Sequence, residues 1–387
     1  MIQITEKTKL PLLSLGFRPF FLVATLAAIA LVSAWIFFYK SGANFGQFYY
    51  GYTTWHAHEM VFGYTSAIIA GFLLTAVGNW TGKPTATGTA LLLLTLLWAA
   101  GRIAPYFPLP TWLIASIDWL FLPILSLVLL KPLILGQHYK NLIMVAILWL
   151  LAFANGLVHA EQLQLWQNTA RTGISMGVDT VILLIIVIAG RVVPFFTRAV
   201  IPDADPKSQP WLEAIAISSG LALIASDLNW ISGQWVPYLF FGFAITHVIR
   251  AANWMHPDIK QHPMLWSIYS ALAWISIAFV LKGLTLQHIV WPMLSTHALT
   301  VGVIGIITVA MLTRVSLGHT GRAMQANTLL SLAFIAINLA AINRVILPLF
   351  WPQMYAQWVV LSGGLWVAAF CLIAIQFLPI WIKPRVS

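Results

Sequence analysis

Long apolar runs separated by short polar breaks dominate this chain. A hydrocarbon core about 30 Å thick takes about 20 apolar residues of helix to cross. Runs of that length, bounded by charge, Gly or Pro, fall near residues 18–39, 55–79, 86–106, 111–130, 141–160, 173–197, 210–230, 235–254, 263–283, 291–317, 325–347 and 355–381. The pattern predicts an all-α integral membrane protein of about twelve transmembrane helices. The longest polar connections, Arg198 to Pro210 and Asn253 to Pro263, leave no room for a soluble domain. Residues 1–387 therefore read as a single polytopic membrane domain, with its chemistry inside the bundle or at its rims. Met1 to Leu10 is polar and the run after it reaches Tyr39 without a small-residue cleavage site, so the first run is expected to stay as a span.

Composition narrows the function classes. With 60% hydrophobic and 8% charged residues the chain cannot coat a globule in solvated side chains, and its surface is expected to face the lipid bilayer. The net charge of +10 comes from basic residues scattered singly between apolar runs, which argues against nucleic-acid binding. A single cysteine, Cys371, rules out an internal disulfide, a cysteine zinc site and an iron–sulfur cluster. No glycine-rich phosphate loop precedes a strand pattern, and Gly42, Gly46 and Gly51 merely punctuate the loop before the second run, so nucleotide hydrolysis is disfavoured. On the N-terminal side stand Lys7, Lys9, Arg18, Lys83, Lys131, Lys140, Arg198, Lys207, Arg250, Lys260, Arg322, Lys383 and Arg385. The other side has Lys40, Arg102, Arg171, Lys282 and Arg344, so both termini are expected in the cytoplasm.

Ionisable groups within apolar runs are functional candidates because hydrocarbon penalises them. The orientation puts His56, His58, His159 and His297 in one outer layer. Imidazole is the usual protein ligand for copper and haem iron, and a haem held by two histidines needs them on facing helices. His58 and His297 meet that condition if the second and tenth runs pack together. His56 and His58 are about 200° apart on a helix, so they would serve two sites, or one would orient the other. His56 and His159 are the next candidates for copper or a second haem. Glu59, Asp118 and Asp179 could fix histidine tautomers or carry protons; the alternative is helix-end capping or an ion pair with Arg102 or Arg171, which for Asp179 weighs about as much. Arg191 and Arg314, near the inner ends of their runs, could hold haem propionates or an anionic substrate, or snorkel to lipid phosphate. His247 and His319 are further metal candidates, whereas His138, His256, His262 and His288 lie in loops without ligand spacing. Laying His58 to Gly82 over His297 to Gly321 aligns His58/His297, Gly63/Gly302, Leu73/Leu312, Thr81/Thr320 and Gly82/Gly321, a faint internal echo.

Five stretches carry a resemblance: Leu15 to Phe21, Trp55 to Gly63, Gly71 to Gly82, Gly190-Arg191 with Pro194 to Thr197, and Thr313 to Arg322. They are similar to signature segments of the NnrS family. The resemblance implies a multi-pass protein of the bacterial inner membrane, with haem, expected to be b-type, and copper. It further implies a link to nitric oxide resistance, nitrosative stress and denitrification. His56, His58, His297 and His319 lie in the matching segments; His159 and His247 rest on depth alone. The topology is also similar to the catalytic subunit of haem–copper oxidases, which has histidines on its second and tenth spans. It departs on the sixth and seventh runs, which contain no histidine where that superfamily binds copper.

Two functions compete. One is a haem and copper protein that binds or detoxifies nitric oxide, with an electron donor as partner if it is an oxidoreductase. The other is a proton-coupled secondary transporter using intramembrane histidines and carboxylates. A haem-binding sensor is disfavoured because no cytoplasmic loop is large enough to be an output module.

Overall fold

The computed structural model describes residues 10–42 and 49–386, and among them it contains helices, turns and loops but no strand. Lys7, Lys9 and Gly46 lie outside the described residues. All twelve apolar runs are helical: α1 Phe17–Ser41, α2 Tyr52–Thr81, α3 Gly88–Tyr106, α4 Thr111–Leu135, α5 Tyr139–Gln162, α6 Thr169–Val200, α7 Pro210–Asp227, α8 Val236–Ala252, α9 Pro263–Leu286, α10 Pro292–His319, α11 Thr328–Phe350 and α12 Pro352–Ile382. Ten of these are long and apolar enough to cross a membrane. The two outside that set are α7 and α8, of 18 and 17 residues. At 1.5 Å per residue they rise only about 25 to 27 Å, and α7 begins and ends in acidic turns at Glu213 and Asp227.

The described chain packs as two compact units. The first comprises Met1–Gly177, Arg314–Met324 and Ile373–Ser387; the second comprises Val178–Thr313 and Gln325–Leu372. In the first, α1 lies along α2, α4 packs on α5, and α3 packs on the N-terminal part of α4. In the second, the largest shared face is between α8 and α9, where Phe240 and Phe279 stack with ring centroids 5.9 Å apart.

Three of the stretches that stand out in the sequence meet in the first unit around the end of the chain. Arg18 is fully buried and its Nη1 donates to the carbonyls of Ile380 (3.4 Å), Trp381 (3.0 Å) and Lys383 at the end of α12. A helix leaves its last four carbonyls without intrahelical donors, and a buried end needs them supplied, which is the work of this arginine. The Phe17 amide donates to Thr75 Oγ1 (3.1 Å), and Trp381 Nε1 donates to Ser316 Oγ (2.9 Å). Gly71 lets α1 approach α2, since a Cβ there would lie 2.8 Å from the Phe21 ring.

Both halves of the internal echo share local geometry. His58 and His297 each end a short α-helical segment and lead directly into a π-helical turn, Glu59–Thr65 in α2 and Ala298–Gly305 in α10. Both segments close on a left-handed glycine, Gly82 (φ 63°) and Gly321 (φ 75°).

Replacing Arg18 by Met is expected to strand the terminal carbonyls of α12 and to destabilise the protein by roughly 2–3 kcal/mol. A lowered thermal midpoint in detergent, with Lys83→Met as a surface control, would report this; equal midpoints would refute the capping role.

Candidate metal centre

The densest polar cluster among the described membrane helices lies in the first unit, where α2, α3, α4 and α5 contribute one or two side chains each. His58, Asp118 and His159 each offer one ligand atom within 4.8 Å of the other two, and all three residues are buried. Asp118 Oδ2 is 2.8 Å from His159 Nε2 and 3.1 Å from His58 Nε2, and it accepts from Asn155 Nδ2 at 2.9 Å. Asn155 precedes His159 by one helical turn, so both project from the same face of α5. Asn155 Oδ1 stands 3.0 Å from His58 Nε2.

Each histidine has a second polar neighbour on its far nitrogen. Glu59 Oε1 is 3.3 Å from His58 Nδ1, and the Tyr49 hydroxyl is 3.0 Å from His159 Nδ1. Partners of this kind fix the tautomer that turns Nε2 inward as a lone pair, the arrangement usual around metal-bound imidazole. The Tyr50 hydroxyl is 3.1 Å from His58 Nε2, and its ring stacks on the imidazole at 4.5 Å. Tyr49 and Tyr50 precede α2. Burial, reinforced for Tyr50 by the Glu59 charge, pushes both phenols well above their ordinary value and keeps them protonated.

Arg102 on α3 joins the two carboxylates, donating from Nη1 to Glu59 Oε2 (3.2 Å) and pairing through Nη2 with Asp118 Oδ1. Two glycines make room for it. A Cβ on Gly63 would lie 2.7 Å from Arg102 Nη1, and one on Gly101 would lie 2.8 Å from Asp118 Oδ1. Glu59 and Asp118 carry two negative charges against the single charge of Arg102. The set is one positive charge short while its imidazoles are neutral. His58 states the same deficit in hydrogen bonds: a neutral ring has one proton, yet oxygen faces both of its nitrogens. A cation at Nε2, either a second proton or a metal ion, resolves it. Two imidazoles and a carboxylate are a donor set for a first-row transition ion.

The other sequence candidates stand elsewhere. His56 stacks on Trp35 of α1 at 4.1 Å and is not part of the cluster. His319, in the first unit, meets Asn79 Nδ2 through Nε2 at 3.2 Å and packs on Phe17. In the second unit, His247 Nε2 contacts Ser219 Oγ (2.9 Å), and its ring stacks on Phe279. His297 is half-buried, with Nδ1 2.7 Å from the Met293 carbonyl. Arg191 is exposed and Arg314 buried. Glu161 accepts from the Ala170 amide at the start of α6 (2.9 Å), a cap. Asp179 lies beside Asp227, which pairs with Lys282. Arg250 grips Glu213 bidentately at 2.9 and 2.7 Å, where a Cβ on Gly190 would collide with the carboxylate.

Sequence reasoning missed Asn155, Tyr49 and Tyr50 as members of the site and saw Arg102 only as an ion-pair alternative. Asn155 was within reach, because a polar residue four positions before a candidate ligand on an apolar helix shares its face. The tyrosines lie in a loop, where no periodicity points to them.

Helices that cross a membrane around a buried His/Asp cluster define a multi-pass membrane protein with a candidate metal-binding centre. The chain belongs to the NnrS protein family, whose sequence model matches residues 11–385, nearly its full length. No curated protein matches the chain.

Arg102→Met would leave two buried carboxylates sharing no cation and is expected to cost roughly 3–5 kcal/mol. Unfolding in detergent should show that loss and its partial recovery on adding Glu59→Gln. The same loss in the single and double variants would contradict the charge balance described here.

Proposed function

We propose that this protein is a haem- and copper-dependent protein of the bacterial inner membrane that binds or removes nitric oxide under nitrosative stress or during denitrification. The family supports the setting, and the observation that carries the reading is the convergence of His58, Asp118 and His159 with a charge deficit of one. These three residues would hold the copper. Their nitrogens and oxygen suit an ion that exchanges one electron, and the chemistry it supplies when bound is coordination of a nitrogen oxide with electron transfer to or from it. An oxidoreductase reading requires an electron donor, and the protein's own part is to orient the imidazoles through Glu59 and Tyr49 and to balance charge through Arg102.

Haem calls for a different assignment from the His58/His297 pair suggested by the sequence. Three oxygens within 3.0–3.1 Å of His58 Nε2 occupy the space a porphyrin would need on that nitrogen. The residues around His58 fit an ion and do not fit a haem. His297 is the proposed haem ligand, its ring oriented by the contact of Nδ1 with the Met293 carbonyl at 2.7 Å. Arg191 in the second unit and Arg314 in the first are each proposed as a partner for an anionic group.

Metal analysis and an optical spectrum of the purified protein, before and after nitric oxide, test this reading. Copper and a Soret band should both be present in the parent protein. His159→Ala or Asp118→Ala should lose most of the copper and keep the Soret band, while His297→Ala should lose or shift the band and keep the copper. A parent protein with neither metal nor haem after expression with both supplied would overturn the proposal.

A further inference from the structure

Tyr50 has a position that the metal-binding reading does not use. Its hydroxyl is buried, with the residue 3% exposed, and among the described residues its one hydrogen-bond partner is His58 Nε2 at 3.1 Å. Asn155, its neighbour at the same nitrogen, is differently placed: its amide nitrogen is already committed to Asp118 Oδ2. Tyr50 is therefore the O–H donor directed at the inward face of the cluster.

Occupation of the site changes what this hydroxyl can do. Once His58 Nε2 coordinates an ion, its lone pair is spent and the Tyr50 O–H loses its acceptor. A buried donor without an acceptor is costly, and solvent does not reach this one. An acceptor atom on a small molecule bound to the ion restores the missing bond. The requirement selects among ligands: the molecule must be small enough for a buried site and must carry an oxygen that gains negative charge when an electron-rich ion binds it.

We propose that Tyr50 is a positioning residue of the metal centre, donating a hydrogen bond to the oxygen of a small nitrogen oxide held on the ion and so favouring nitric oxide and its reduced forms over ligands with poor acceptor atoms. The proposal rests on the metal-binding reading above. The hydroxyl serves by orientation and hydrogen bonding; no electron or proton leaves it.

The test uses the intact, copper-loaded protein in detergent with nitric oxide as the probe and infrared spectroscopy as the readout. In the parent protein the N–O stretch should shift on exchange into deuterated water. Tyr50→Phe should keep the copper content, abolish the isotope shift, move the stretch, and release nitric oxide about 3- to 10-fold faster, the range expected for one hydrogen bond. A stretch and a dissociation rate equal in Tyr50→Phe and parent, at equal copper content, would overturn the proposal; so would a Tyr50 hydroxyl that turns to Asn155 Oδ1 instead, which would leave the parent's stretch insensitive to deuterium. If Tyr50→Phe does not fold, the isotope shift in the parent decides alone. Absence of copper from the parent protein would instead overturn the metal-binding reading and this proposal with it, an outcome that copper content separates from the others.

Discussion

A carboxylate cannot be left uncompensated inside a membrane, and the first unit is arranged around two of them. Asp118 and Glu59 are almost wholly buried, and Arg102 reaches both. Isolated charges there would cost several kcal/mol each, so the helices bearing them are bound to approach one another. That approach brings His58 on α2 and His159 on α5 to the same oxygen of Asp118. The electrostatic constraint and the candidate chemistry are one arrangement, because the side chains that neutralise the acids also aim the imidazoles.

Such an arrangement needs backbones closer than large side chains permit. Gly63 and Gly101 are the places where Arg102 and Asp118 pass against a neighbouring helix at distances a Cβ would forbid. Gly190 serves the Glu213–Arg250 pair of the second unit in the same way. Lipid gives helices no hydrophobic reason to associate, so small residues and polar contacts carry the association. Polar groups at helix ends follow the same rule, and Arg18 at the terminus of α12 is its clearest case.

The helical architecture was legible because hydrocarbon thickness imposes a run length that composition reveals directly. At the margin of that rule α8 is apolar but short, whereas α7 is long enough but carries acids at both ends. The site was legible in part. Depth singled out His58 and His159, but depth is one coordinate, and rotation about each helix axis decides which residues of a layer meet. The two-residue offset between His56 and His58 contained that information: His56 turns to Trp35 and His58 to Asp118. Tyr49 and Tyr50 were not legible, because a loop has no period from which to infer a direction. Motif similarity also mixed two kinds of residue, since Phe17, Arg18 and Ser316 hold the chain end while His58 and Glu59 build the cluster.

The echo between α2 and α10 bears on how different chemistry can grow from one backbone device. In each, a histidine enters a π-helical turn, a feature that widens the helix at functional positions. The surroundings then diverge. His58 is enclosed, with oxygen at both nitrogens and no exposed surface, conditions that suit a small cation and exclude a large planar group. His297 is half-buried, and its Nδ1 is satisfied by a carbonyl of its own helix. A shared turn with opposite electrostatics is what two unlike cofactors would require. On the proposed function, the polar surroundings of each ring, rather than the depth at which the two histidines lie, would assign copper to His58 and haem to His297.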